Sequence, residues 1–116
     1  MASAQRFLIS IGDLANARGE TAQLRFEGVS PEHLASVLQD ALRDPDLWQR
    51  WRSLQEDPDA VDPATGATDP AATVSGSLEA QRSELVVITR LPHALVKHRL
   101  DLLIGRHWKL RDVSSV

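Results

Sequence analysis

Six consecutive residues near the end of the chain, Arg106-His107-Trp108-Lys109-Leu110-Arg111, carry the densest functional chemistry in the sequence. Cations at alternate positions can bind phosphate or carboxylate oxygens, and an aromatic among them can stack on a planar ligand. If the run is a strand, its period of two puts His107, Lys109 and Arg111 on one face and Trp108 with Leu110 on the other. Trp108 is then expected in the core, away from the cations. From residue 90 onward Arg90, Lys97, Arg99, Arg106, Lys109 and Arg111 face only Asp101 and Asp112, although the whole chain has 13 Lys and Arg against 16 Asp and Glu, a net charge of −3. A basic end on an acidic chain either marks a face for an anionic partner or pairs with the acids of its own domain. Internal pairing is the plainer expectation.

Arg99 falls inside an apolar helical arc with Leu95, Val96 and Leu103. A buried, unpaired guanidinium is costly. Its stem is therefore expected on the core with the charged head reaching water; the alternatives are that it pairs with an acid or that the helix exposes part of this arc to a partner. Trp48 and Trp51, with Leu47 and Leu54, form the apolar side of a short helix. They belong either to the core or to an exposed patch of the kind that binds protein.

Catalytic and metal chemistry find little support. His93 and His98 are five apart, about 140° around a helix at roughly 100° per residue, so they are not the i, i+4 pair of a helical zinc site. No carboxylate at ligand spacing completes a set, and with no Cys there is no thiolate ligand, thiol nucleophile or disulfide. Ser75-Gly76-Ser77 lacks the flanking pattern of a nucleophile turn, no glycine-rich phosphate loop precedes either Lys, and no calcium-loop spacing occurs. No catalytic residue, cofactor or metal is expected. The first apolar run is broken by Ser10, Gly12 and Asp13. It is too short and too alternating for a signal peptide or a membrane span, so a cytoplasmic protein with no membrane partner is expected.

These residues must be positioned by short patterned elements. Phe7, Ile9 and Ile11 share one face of a strand, and Thr21–Glu27 alternates as its hairpin partner. Ser30-Pro31 opens a helix with an apolar stripe of Leu34, Val37, Leu38, Ala41 and Leu42. Asp44-Pro45 breaks it and starts a second helix. Thr73–Leu78 reads as a modest strand, Gln81-Arg82-Ser83 as a turn, and Leu85–Thr89 as a central strand apolar on both faces. Leu91-Pro92 leads into a last helix ended by Gly105, and the basic run closes as an edge strand.

Between the halves, residues 56–73 are acidic and rich in Pro and Ala, with no Lys, Arg or aromatic residue. That composition reads as a flexible internal loop. It is expected to fold loosely over Arg106–Arg111 and screen them. The reading is a single α+β domain over residues 1–116: a two-layer fold with a four- to five-stranded, mostly antiparallel sheet, helices on one face, and a ββα unit used twice. The first functional expectation is a small non-catalytic interaction or adaptor domain that binds protein or a second copy of itself. The second is binding of an anionic ligand or nucleic acid by the basic end. The third is an enzyme with no recognisable motif. Partner contacts are expected at Trp48, Trp51, Arg99, Arg106, Lys109 and Arg111.

Overall fold

The structure, a computed structural model, describes residues 3–116. Strand β1 is Gln5–Ile11, helix α1 Pro31–Arg43, helix α2 Asp46–Ser53, strand β2 Thr73–Glu79, strand β3 Arg82–Thr89, helix α3 His93–Ile104 and strand β4 Lys109–Ser115. The four strands form one antiparallel sheet in the order β2-β3-β1-β4. The fold is thus α+β.

The chain order β-α-β-β-α-β with this strand order is two interleaved β-α-β crossovers, the split topology of ferredoxin-like sheets, with α2 added after α1. Such a scaffold carries no particular function. It also replaces the ββα repeat expected above, because Thr21–Glu27 forms no strand. The alternation there is real: Leu24 and Phe26 are buried and Gln23, Arg25 and Glu27 are exposed. The backbone, however, serves the end of α3. The amides of Gly19 and Phe26 both donate to the Leu103 carbonyl, at 3.2 and 2.8 Å. A helix terminus leaves such carbonyls without helical partners, and this loop supplies them. Arg18 ties the loop together by donating to the carbonyls of Leu14, Ala17, Glu27 and Gly28.

The helices cover one face of the sheet. Phe7, Ile9, Ile11, Leu85 and Val87 point into that core with Leu34, Leu38, Leu42, Val96, Leu100 and Ile104. Ser30 starts α1 as expected, its hydroxyl accepting from the His33 amide at 3.0 Å. At α2 the Asp44 carboxylate accepts from the Asp46 amide at 3.0 Å, one residue later than the Pro45 start expected. Strand β2 runs hard against α1: a Cβ on Gly76 would lie 2.2 Å from the Pro31 carbonyl oxygen, so only glycine allows that approach. The β2–β3 connection is also shifted. Ala80 and Gln81 form the tight turn, at φ 49° and 68°, and Arg82 is already in β3, paired with Glu79.

Among the described residues no helix covers the other face of the sheet. Leu8, directly opposite Val86, lies there with Ile88, and all three are half-buried. No helix among the described residues is long and apolar enough to cross a membrane.

Candidate functional site

An unmatched charge is what an incoming ligand can satisfy, so the depressions in the surface are best separated by whether their charges are already paired. A groove of about 760 Å³ beside α1 and α2 contains Arg25 and Arg50 with Glu27, Asp40, Asp44 and Asp46. Its cations are engaged: Arg25 pairs with Glu27 at 3.2 Å and Arg50 with Asp46 at 3.2 Å. A second groove, of about 780 Å³, holds Trp51, Leu54, Arg18, Glu20 and Asp101 and shares Arg106 and His107 with the third depression. There Arg18 is saturated by carbonyls, and Asp101 accepts from Lys97 at 2.7 Å and from Trp108 at 3.0 Å.

The third depression is different. It is a cleft of about 450 Å³ at one end of the sheet, lined by Ser10, Gly12, Asp13, Asn16, Arg82, Arg106, His107, Trp108, Lys109 and Arg111. Four of these are cations, all are exposed, and none makes a side-chain hydrogen bond or ion pair among the described residues. The single carboxylate, Asp13, is bound by the Asn16 amide group at 2.7 Å.

The pairing of strands explains why these residues meet. Ser10 in β1 sits opposite Lys109 in β4, and Ile11 sits opposite Ser83, which brings Arg82 level with Gly12 beyond the end of β1. Gly12 keeps the floor open, since a Cβ there would meet nothing within 4 Å. Register shifts between Leu8 opposite Asp112 and Ile9 opposite Leu110, leaving Arg111 as a bulge residue. A bulge re-aims side chains, and here both Lys109 and Arg111 line the cleft.

Trp108 packs against the core, as strand alternation predicts, but it is not kept apart from the cations. Strand β4 begins at Lys109, so the period of two does not reach back to the indole. Trp108 is half-buried, packs against the core and also lines the cleft beside the cations. Its ring nitrogen donates to the Asp101 carboxylate at 3.0 Å, which holds the ring in place.

The other residues singled out in the sequence divide sharply. Arg106, Lys109 and Arg111 converge, and Arg82 joins them from a segment read as a turn. Nothing local in the sequence marks Arg82; the strand pairing alone brings it in. Arg99 does not reach water. It is fully buried, at 0% exposure, and no carboxylate meets it. One Nη donates to the Thr65 carbonyl at 2.8 Å and the other to His98 Nδ1 at 2.8 Å, while Nε has no partner among the described residues. Burial lowers its pKa from the ordinary arginine value. Burial also lowers the pKa of His98, and the adjacent Arg99 charge adds to that effect.

Trp48 is 7% exposed, and its ring nitrogen donates to the Thr65 hydroxyl at 3.0 Å. Trp51 is half-buried, edge-on to the His98 ring at 4.4 Å.

The acidic segment lies away from the basic cleft, and no residue from 56 to 73 lines it. It forms two short 3-10 turns, Pro58–Ala60 and Pro63–Gly66, and its hydrogen bonds go to α1, α2, α3 and the end of β3. Thr65 takes Trp48 and Arg99, the Pro58 carbonyl takes Arg52, and Asp69 takes Thr89 and Arg90. The screening role expected for it is therefore not seen. Among the described residues no three His, Asp or Glu side chains gather as a metal site.

Comparison of the chain with protein-family models, with curated proteins and with solved structures finds no match.

Proposed function

We propose that this protein is a small binding domain for an anionic ligand, held in the cleft of Arg82, Arg106, Lys109 and Arg111. The observation that carries the reading is the convergence of four unpaired cations, from two separate parts of the chain, around an open floor. Gathered like charges repel, and a bound anion relieves that repulsion while collecting several charge-assisted hydrogen bonds. Three arginines suit planar, two-point contact with phosphate or carboxylate oxygens. The cleft volume of about 450 Å³ is in the range of small-molecule sites.

Calorimetric titration with inorganic pyrophosphate at low salt tests the proposal. Binding is expected to weaken as salt rises, because exposed charges are screened over about 10 Å at 0.1 M. Gly12→Glu should abolish it with the fold intact, since the new side chain enters open space and brings a carboxylate among the cations. Absence of heat with the unaltered protein at low salt would reject the reading.

A second reading, self-association, rests on the uncovered sheet face. Solvated sheet faces ordinarily alternate to polar residues, yet Leu8, Val86 and Ile88 are apolar there. Sedimentation across a concentration series tests it. A dimer that Val86→Lys dissociates supports this reading, and a monomer at every concentration rejects it.

A further inference from the structure

We infer that the anion taken by the basic cleft is a nucleotide, its phosphate on the cations and its base on Trp108. The inference rests on the anion-binding reading above and adds a ligand class to it. Its independent support is the placement and fixing of the indole. Trp108 lines the same cleft as Arg82, Arg106, Lys109 and Arg111. The ring is half-buried and packs against the core. Its Nε1–H is spent on Asp101 Oδ1 at 3.0 Å, and the other oxygen of that carboxylate is held by Lys97 at 2.7 Å. The ring is thereby pinned from two sides before any ligand arrives. A pinned aromatic loses little freedom on binding, which favours stacking of a planar group.

A plain inorganic anion would use the cations and leave the indole idle. A polycarboxylate would do the same. A phosphate attached through a sugar to a flat heterocycle uses both kinds of group at once. The rest of the lining is polar: Ser10, Asn16 and Asp13 share the cleft, and Asp13 Oδ2 accepts from Asn16 Nδ2 at 2.7 Å. Their free hydroxyl, amide and carboxylate positions suit sugar hydroxyls and base-edge groups. The net charge of −3 opposes wide coating of a long polyanion, which suits a cleft that takes one nucleotide, free or within a short strand.

The test is titration with AMP, ribose 5-phosphate and the trinucleotide ApApA, followed by calorimetry and by the Trp108 indole N–H resonance. AMP should bind roughly tenfold tighter than ribose 5-phosphate, the order expected from one base–aromatic stack, and should shift the Trp108 resonance. Trp108→Leu should bring AMP down to the ribose 5-phosphate affinity while leaving the latter unchanged. If that variant fails to fold, the resonance shift in the unaltered protein still decides. Tighter binding of ApApA than of AMP supports the inference and identifies a strand as the source; equal binding supports it with the free nucleotide as the source. Equal affinities for AMP and ribose 5-phosphate, with the Trp108 resonance unmoved, would overturn the nucleotide inference and leave anion binding standing. No binding of any phosphate would overturn both.

Discussion

The Asp69 carboxylate accepts a 2.8 Å hydrogen bond from the Thr89 hydroxyl, joining the acidic segment to the end of the central strand β3. The same oxygen accepts from the Arg90 amide at 2.9 Å, and the other accepts from the Ala71 amide at 3.1 Å. The Thr89 hydroxyl oxygen in turn accepts from the Leu91 amide. Asp69 is 7% exposed, so this small network is inside the protein. The buried carboxylate has several donors and orders the strand-to-helix joint before α3.

Asp69→Ala should therefore destabilise the fold, by about 1–3 kcal/mol for the donors left unpaired. Chemical denaturation measures the loss. Asp59, whose carboxylate is fully exposed and 3.6 Å from Arg52, is the control: Asp59→Ala should leave the midpoint unchanged.

Acid should remove stability in two stages. His98 has its pKa lowered by burial first and by Arg99 second. It binds a proton more readily unfolded than folded, so its contribution is complete above the ordinary value of 6.5 and is lost as pH falls below it. At Asp69 burial is the largest influence and raises the pKa. The Arg90 amide, the Thr89 hydroxyl and the Ala71 amide together outweigh it, leaving the carboxyl below its ordinary 3.8. Its contribution is complete above pH 3.8 and is lost as pH falls further, through the folded value. Denaturation midpoints measured from pH 8 to pH 2 should show both stages. His98→Asn should erase only the upper one, because its amide oxygen can accept from Arg99 without titrating.

Arg99 offers a contrast between charge and volume. Its guanidinium is buried with two hydrogen bonds and no carboxylate, and Nε is unsatisfied. A buried charge without an opposite charge has little to offset its desolvation. Arg99→Met, which keeps most of the volume, should match or exceed the stability of the unaltered protein. Arg99→Ala should cost roughly 2–5 kcal/mol, the range for emptying a core site. Thermal melts of the two variants would separate these effects, and a comparable loss in both would mean that the Thr65 and His98 hydrogen bonds dominate.

The β2–β3 hairpin stores backbone strain. Ala80 and Gln81 both have positive φ, 49° and 68°, where Asn-Gly is the favoured pair. Left-handed backbone costs an L-residue roughly 1–2 kcal/mol. Replacing Ala80-Gln81 by Asn-Gly should raise stability by about 1 kcal/mol or more, seen as a higher melting temperature. Neither residue lines the cleft, so pyrophosphate affinity should not change.

Much of the fold is legible in local pattern. The Ser30-Pro31 start, the stripe of Leu34, Leu38 and Leu42, and the β-branched run of β3 each state their element without reference to anything distant. Thr21–Glu27 misleads for an identifiable reason. Its alternation reports that Leu24 and Phe26 face the core, but burial alternates equally well in a loop whose amides cap a helix. Trp108 packs against the core as its period suggests, but that it also lines the cleft beside the cations is not written in hydrophobic period, because it precedes the start of β4.

By itself the sequence determined most of the elements and the charge asymmetry, because capping, side-chain period and composition act over a few residues. It also held the cationic run of Arg106, Lys109 and Arg111. Tertiary structure alone decided which side of the surface each charge would occupy. Arg99, in the same basic stretch, went inside because α3 turns that side toward the Thr65 carbonyl. Arg82 joined the cleft because antiparallel pairing sets β3 beside β1, and β1 beside β4. Register and packing act across the whole chain, so the gathering of these cations around Gly12 and Trp108 exists only once the sheet has formed.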